Sequence, residues 1–214
     1  KLIQKGKYDG WDDVRLPFLP ALRRRGYQRG AFLRYADEVG VTEVDKKVSK
    51  EDFFKLINSF NAEIIDNDAN RYFIILNPKK TKIKKAPEMR KELDLYPNVR
   101  KNGRKFLTKN EFYIQDKLER NKNYRLMHLF NFRNNEFLSE DIDERLEAKL
   151  IHWLPVSKGL VKVEILMDNN KIINGIGEEG LKNIKIGEII QAERNGFMRL
   201  EKKGKKLKFL FLHR

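Results

Sequence analysis

The apolar periodicity of this chain changes near Asn70, and that change leaves few architectures open. Upstream, Phe53, Ile57, Phe60 and Ile64 recur at intervals of four, three and four residues, which places them on one helical face. Ser49 precedes this stripe with Asp52 three residues on, a pair suited to starting a helix by accepting a free backbone N–H. Pro17 or Pro20 suits the first turn of an earlier helix that Gly26 ends after Arg25, and another helical stretch, 28–39, closes at Gly40. Residues 1–66 are therefore expected to be helical, with the aromatic stripe packed in a core.

Downstream of Asn70 the runs 71–76, 105–114, 124–132, 150–154, 160–167, 187–201 and 206–212 are short and rich in branched and aromatic residues. Gly, Asn and Lys clusters separate them, as in antiparallel β-barrels or sandwiches. Asn195–Gly196 predicts a two-residue type I′ hairpin turn, and Lys203–Gly204 a weaker turn. Residues 138–150 fit either a short helix or an acidic loop, and the run 79–85 (KKTKIKK) is too charged to be buried. The expected fold class is α+β.

The 214 residues carry a net charge of +15, from 46 Lys and Arg against 31 Asp and Glu. Heat-adapted surfaces raise both signs, so an excess of this size points to a polyanionic partner, nucleic acid first. The excess is uneven: residues 67–125 carry +10 and 181–214 carry +7, whereas 1–66 carry +2 and 126–180 carry −4. Folding the two basic stretches together would concentrate a phosphate-facing surface.

Several chemistries lack their residues. Without cysteine there is no disulfide framework, thiolate zinc site or cysteine nucleophile. No GxxxxGK[ST] loop occurs, and no GxGxxG follows a strand. His128, His152 and His213 lack ligand spacing, and His152, between Ile151 and Trp153, is expected to be a buried and satisfied imidazole. Asp12 and Asp13 are expected to cap a helix near Leu16. No run of eighteen apolar residues occurs, and Lys1–Lys5 leads into no apolar stretch, so neither a membrane span nor a signal peptide is expected. A protein–protein scaffold would leave the charge unexplained.

The stretch Tyr8–Gly26, YDGWDDVRLPFLPALRRRG, combines a Trp, an acidic pair, two prolines and three consecutive arginines, a mixture that no single element of secondary structure demands. It resembles the segment of the glutamyl- and glutaminyl-tRNA synthetases that follows the catalytic domain, with the pattern GWDDPR, Leu or Met, Pro, and then LRRRG. Gly10, Trp11, Asp12, Asp13, Arg15, Leu16, Pro17 and Leu22 to Gly26 match, and Val14 replaces the usual proline. ANRYFIILNP (69–78), YRLMHLFN (124–131), IHWLP (151–155) and EIIQAERNGFMRLE (188–201) resemble further motifs of the family in the right order, while 79–110 matches poorly. Lys1–Leu2–Ile3 looks like the helix that follows the family's signature lysine loop. Neither that loop nor the family's His-Ile-Gly-His-like motif occurs here.

The resemblance implies a helical connective subdomain (1–66), a discontinuous first barrel (67–115 and 181–214) and a second barrel (116–180) inserted within it. It implies the tRNA-binding part of a ligase of archaeal or eukaryotic type that attaches glutamate to tRNA(Glu). ATP and Mg would serve the longer enzyme, with no cofactor and no catalytic residue in this piece. The expected setting is a cytoplasmic monomer without DNA or membrane partners. Arg71 and Gln191 fall on the positions that line the pocket for the central anticodon uridine. Arg194 and Arg125 fall on positions that contact anticodon nucleotides, and Lys117 aligns more weakly. Arg23, Arg24 and Arg25 fall where the family's helix runs along the tRNA, so phosphate contacts are expected there. Three successive helical residues cannot face one way, so at most two of them would touch RNA. Tyr72, Phe112 and Phe197 are left open as base-stacking platforms. Two alternatives remain: a glutaminyl enzyme, whose tRNA(Gln) shares the central uridine, and a stand-alone RNA-binding barrel with no catalytic partner.

Overall fold

The computed structural model describes residues 3–40 and 47–214; Lys1 and Leu2, read above as part of a helix, lie outside the described residues. Helix α1 (Leu19–Arg25) has Pro20 in its first turn and ends at Gly26, whose φ of 115° lets its N–H reach the Leu22 and Arg23 carbonyls. A Cβ at Gly26 would come within 3.1 Å of the Arg199 side chain, so conformation and packing both call for glycine. Helix α2 (Arg29–Val39) closes at Gly40. Helix α3 (Lys50–Ile65) starts at Ser49, whose Oγ accepts the Asp52 N–H at 3.0 Å. The buried line of α3 is Ile57, Asn61 and Ile65, whereas Phe53, Phe60 and Ile64 are half-buried. Asn61 tolerates burial because its Oδ1 accepts the Gln28 N–H at 2.8 Å and its Nδ2 lies 2.9 Å from His213 Nε2.

Asp13 caps no helix. The first helix begins only at Leu19, and the Asp13 carboxylate instead accepts the backbone N–H groups of Asp9 and Arg15. Arg15 pairs with it at 2.5 Å and holds the carboxyl well below the usual carboxylate range.

The strands begin with β1 (Asn70–Tyr72), β2 (Ile74–Leu76), β3 (Lys79–Lys82), β4 (Met89–Tyr96), β5 (Arg100–Thr108) and β6 (Glu111–Ile114). Then come β7 (Asn123–Leu126), β8 (Asn131–Arg133), β9 (Glu136–Ser139), β10 (Lys149–Ile151) and β11 (Trp153–Pro155). The last are β12 (Val161–Leu166), β13 (Ile172–Gly177), β14 (Ile189–Ala192), β15 (Gly196–Lys202) and β16 (Leu207–His213). The run 71–76 is broken at Phe73, whose N–H is accepted by the Glu178 carboxylate rather than by a neighbouring strand.

That break shapes the largest sheet, a seven-stranded one ordered β1-β14-β15-β16-β12-β13-β2. Its two edges are consecutive pieces of one stretch of chain, so the sheet curls into a nearly closed barrel around Ile74, Ile165, Ile190, Leu200 and Phe209. The strands of 161–177 belong to this sheet and not to the sheet of β7 to β10. Three pairings, β1 with β14, β12 with β16 and β7 with β10, are parallel rather than antiparallel. Each joins segments distant in sequence, where no hairpin dictates direction.

Three smaller sheets, β11-β6-β3, β10-β7-β8-β9 and the β4-β5 hairpin, share a second core in which Trp153 meets Phe73, Phe106 and Phe112. The expected single strand 124–132 is a hairpin that turns through His128, at φ 62°. The run 150–154 splits at His152, with β10 in one sheet and β11 in another. Residues 138–150 form the end of β9, a short 3-10 turn (Glu144–Leu146) and the start of β10. The run 79–85 contains strand β3; its lysines stay exposed while Ile83 is fully buried. Between β14 and β15, Ala192 pairs with Gly196, so the connection is the three residues Glu193 to Asn195 with Arg194 at φ 65°, not a two-residue turn. The helices cover the outer face of β14 to β16, where Leu22, Tyr27 and Ile57 meet Phe197 and Leu212.

Candidate nucleic-acid interface

Arg71 and Gln191 are register partners in the parallel pair of β1 and β14. Tyr72, Ile190 and Ala192 are buried in the barrel, and alternation turns Arg71 and Gln191 to its outer face, half-buried. The Arg71 guanidinium stands 4.8 Å from the centre of the Tyr96 ring and 3.7 Å from the Asp66 carboxylate. Arg100 stands over the same ring at 4.9 Å and donates to Asn70 Oδ1 and the Asn67 carbonyl, both at 2.7 Å. The Tyr96 hydroxyl donates to Asp66 at 3.0 Å. Arg71 Nε and Arg100 Nη2 are buried and have no hydrogen-bond partner among the described residues. Two guanidiniums thus share one aromatic ring, and Arg71 alone also meets a carboxylate, beside the Gln191 amide. Sequence reading missed Tyr96 and Arg100, which lie in the poorly matching stretch. Only their pairing across the β4-β5 hairpin brings them to Arg71.

Arg194 sits at the tip of the β14-β15 hairpin and donates to Asp116 Oδ2 at 3.1 Å, with Nη1 3.2 Å from His152 Nδ1. Lys149 pairs with the same carboxylate at 2.9 Å. Burial raises the Asp116 pKa, but the hydrogen bonds from Arg194 and Lys149 outweigh it and hold the carboxyl below its ordinary value. Lys117, next in the chain, is exposed. Arg194 and Lys117 are therefore brought together through Asp116. Arg125 stands apart. Its guanidinium donates to Asn131 Oδ1 at 3.1 Å and to the carbonyls of Glu140 and Asp141 at 3.0 and 3.1 Å, bracing the turn after β9.

The three consecutive arginines divide three ways. Arg25 is 3% exposed and donates to the Phe211 and Leu212 carbonyls, fastening α1 to β16 and leaving no face for a phosphate. Arg24 pairs with Glu201 at 2.8 Å and lies 3.5 Å from Asp12. Arg23 is exposed and makes no ion pair among the described residues. Tyr72, Phe112 and Phe197 are 5%, 0% and 5% exposed, so all three are core residues and none presents a ring to a base.

His152 is fully buried, with Nε2 3.0 Å from the Ile74 carbonyl, and burial pushes its pKa down. Beside it Asn195 donates to the same carbonyl at 2.8 Å, so the hairpin that carries Arg194 is fixed to β2. A buried charge network invisible in the sequence stands nearby. Arg104 pairs with Glu178 at 2.6 Å and with Glu193 at 2.5 Å, and lies 4.6 Å from the centre of the Phe73 ring. Through Glu178, which accepts the Phe73 N–H, this network also positions β1 and Arg71.

Comparison with known proteins adds three findings. Residues 69–151 and 150–201 match two families, each described as the anti-codon binding domain of the class I tRNA synthetases (E and Q). The glutamate–tRNA ligase of Methanocaldococcus jannaschii is 40% identical over 215 residues, covering 95% of this chain and 38% of that protein. The glutamate–tRNA ligases of Methanococcus maripaludis (strain C5) and Methanothermobacter marburgensis are 36% and 32% identical over 94% and 99% of this chain. The chain spans under two fifths of the length of these relatives, 38% and 39% of the latter two.

Proposed function

We infer function from one premise: this chain belongs to the class I (E and Q) tRNA synthetases and carries their anti-codon binding domain. It binds the anticodon arm of a tRNA on behalf of a longer ligase that attaches glutamate to tRNA(Glu). The observation that carries this reading is the register of Arg71 against Gln191 on one outer face. A splayed uridine presents two carbonyl acceptors around one N–H. Arg71 supplies donors, and the Gln191 amide supplies a donor and an acceptor. Both glutamate and glutamine anticodons carry that uridine in the centre, so tRNA(Gln) is the natural competitor for the same pocket.

No group of three or more His, Asp or Glu able to hold a metal occurs among the described residues. ATP and magnesium are assigned to the part of the longer protein that this chain does not span. Among the described residues no helix is long and apolar enough to cross a membrane.

The test is a gel-shift titration with tRNA transcripts that differ only in the central anticodon base. Arg71→Ala is expected to weaken binding of the uridine transcript by roughly 1–3 kcal/mol and the others by less, as for loss of a base-edge contact. Equal loss on every transcript would reduce Arg71 to a nonspecific contact and remove the pocket from the reading.

A further inference from the structure

Asp66 closes α3, so its carboxylate sits at the helix end where the backbone dipole disfavours an anion. A carboxylate so placed draws in donors and cations. The Tyr96 hydroxyl donates to Asp66 Oδ2 at 3.0 Å, with Asn67 Oδ1 as its second neighbour at 3.3 Å. Arg71 Nη2 stays 3.7 Å from Asp66 Oδ1, beyond hydrogen-bond reach. Arg71 donates to none of the described residues, and its Nε is buried. The donors of Arg71 are therefore kept in place without being consumed. The Tyr96 ring, centred 4.8 Å from the guanidinium, is what holds it.

The ring is itself fixed. Tyr96 pairs with Arg100 across the β4-β5 hairpin, and the Val99 N–H donates to the Tyr96 carbonyl at 3.1 Å. The Asp94 carboxylate accepts the Asn102 N–H at 2.8 Å, which braces the same end of the hairpin. Arg100 then fastens the hairpin to the entry of β1, through Nε to Asn70 Oδ1 and Nη1 to the Asn67 carbonyl, each at 2.7 Å. Asn70 immediately precedes Arg71. Tyr96 is half-buried and belongs to none of the apolar cores. A tyrosine here does two things that no other apolar ring can combine. Its face takes a cation, and its hydroxyl takes the acid that would otherwise compete for that cation.

On the reading that Arg71 and Gln191 hold the central anticodon uridine, we propose that Tyr96 is a positioning residue for base selection. Its ring holds the Arg71 guanidinium. Its hydroxyl occupies Asp66, so that the carboxylate does not close a bidentate pair with Arg71 and withdraw it from the base. Tyr96 itself touches no base.

The test uses this chain and tRNA transcripts that differ only in the central anticodon base, with affinity read by fluorescence anisotropy and folding checked by circular dichroism. Tyr96→Leu is expected to lower the uridine-over-cytidine affinity ratio about fivefold, the equivalent of one partly desolvated cation–π contact. Tyr96→Phe keeps the ring but releases Asp66, and is expected to lower the ratio about threefold. Adding Asp66→Asn to Tyr96→Phe is expected to restore most of the ratio, because a neutral amide no longer competes for Arg71. In an Arg71→Ala chain, neither Tyr96 change is expected to move the ratio further. If Tyr96→Leu does not fold, the Tyr96→Phe chain with and without Asp66→Asn decides. An unchanged ratio in Tyr96→Phe, or a loss that Asp66→Asn does not repair, would overturn the proposal and leave Arg71 in its pocket. Equal loss on every transcript would overturn it too, since that marks a structural role alone. A parent chain with no preference for uridine would overturn the pocket itself.

Discussion

Arg194 reaches Asp116 at 3.1 Å across the junction of two sheets, one built from the end of the chain and one from its middle. The contact fixes a residue on a hairpin tip to the segment that bears Lys117. It is partly buried, with Asp116 10% exposed, so it escapes much of the solvent screening that makes surface pairs weak.

A double-mutant cycle on Arg194→Ala and Asp116→Ala is expected to give a coupling of about 0.5–3 kcal/mol in urea unfolding. The native state holds the Asp116 carboxyl below its ordinary value, so it binds fewer protons there than the unfolded chain. Its contribution is therefore present above the ordinary carboxylate pKa and lost as pH falls through the lowered one. Asp116→Asn should blunt that acid loss, and an identical acid profile in the variant would contradict the pairing.

Arg23 and Arg25 should separate cleanly. Arg25→Ala leaves the buried Phe211 and Leu212 carbonyls without their donor and is expected to cost about 1–3 kcal/mol of stability. Arg23→Ala is expected to leave the melting temperature unchanged and to lower the salt slope of tRNA binding by roughly one. A stable Arg25→Ala chain that loses tRNA binding would reverse these assignments.

Removing Glu178 should be among the most damaging single changes. Burial raises its pKa, opposed by Arg104, which stands 2.6 Å away and 3% exposed. Glu178→Ala leaves that buried guanidinium with Glu193 alone and releases the Phe73 N–H, so a loss of about 3 kcal/mol, the lower end for breaking a buried pair, is expected from a urea titration. A midpoint close to that of the parent would show that the break at Phe73 holds without the carboxylate.

Local chemistry was legible in the sequence, and long-range pairing was not. Ser49, Gly26 and Gly40 announced helix ends because capping depends on a few adjacent residues. The β runs were visible from composition, but their breaks at Phe73 and His152 were not, since each depends on partners from elsewhere in the chain. The same reason hid the strand in KKTKIKK, which exists because β6 pairs with it. Motif resemblance located Arg71 and Gln191, and the register placed them side by side. It could not tell Arg23 from Arg25, because helix orientation is decided by the strand beneath.

His128, His152 and His213 all have pKa values lowered, in each case first by burial. A depressed histidine favours the folded state above the ordinary imidazole pKa, and that advantage fades as the unfolded chain takes up protons below it. Stability is therefore expected to fall steadily from pH 7 to pH 5, before the carboxylates titrate. Equal urea midpoints at the two pH values would argue against neutral, buried imidazoles.

The break at Phe73 also sets an order of events on the ribosome. β1 emerges early, yet its partner β14 is made only after twelve further strands and the loops between them. Until then the nascent barrel is an unfinished ribbon with Asn70–Tyr72 as a bare edge, and pairing over such a separation forms slowly. A pause in translation before Ile189 would hold the chain in the form most open to strand exchange with a neighbour.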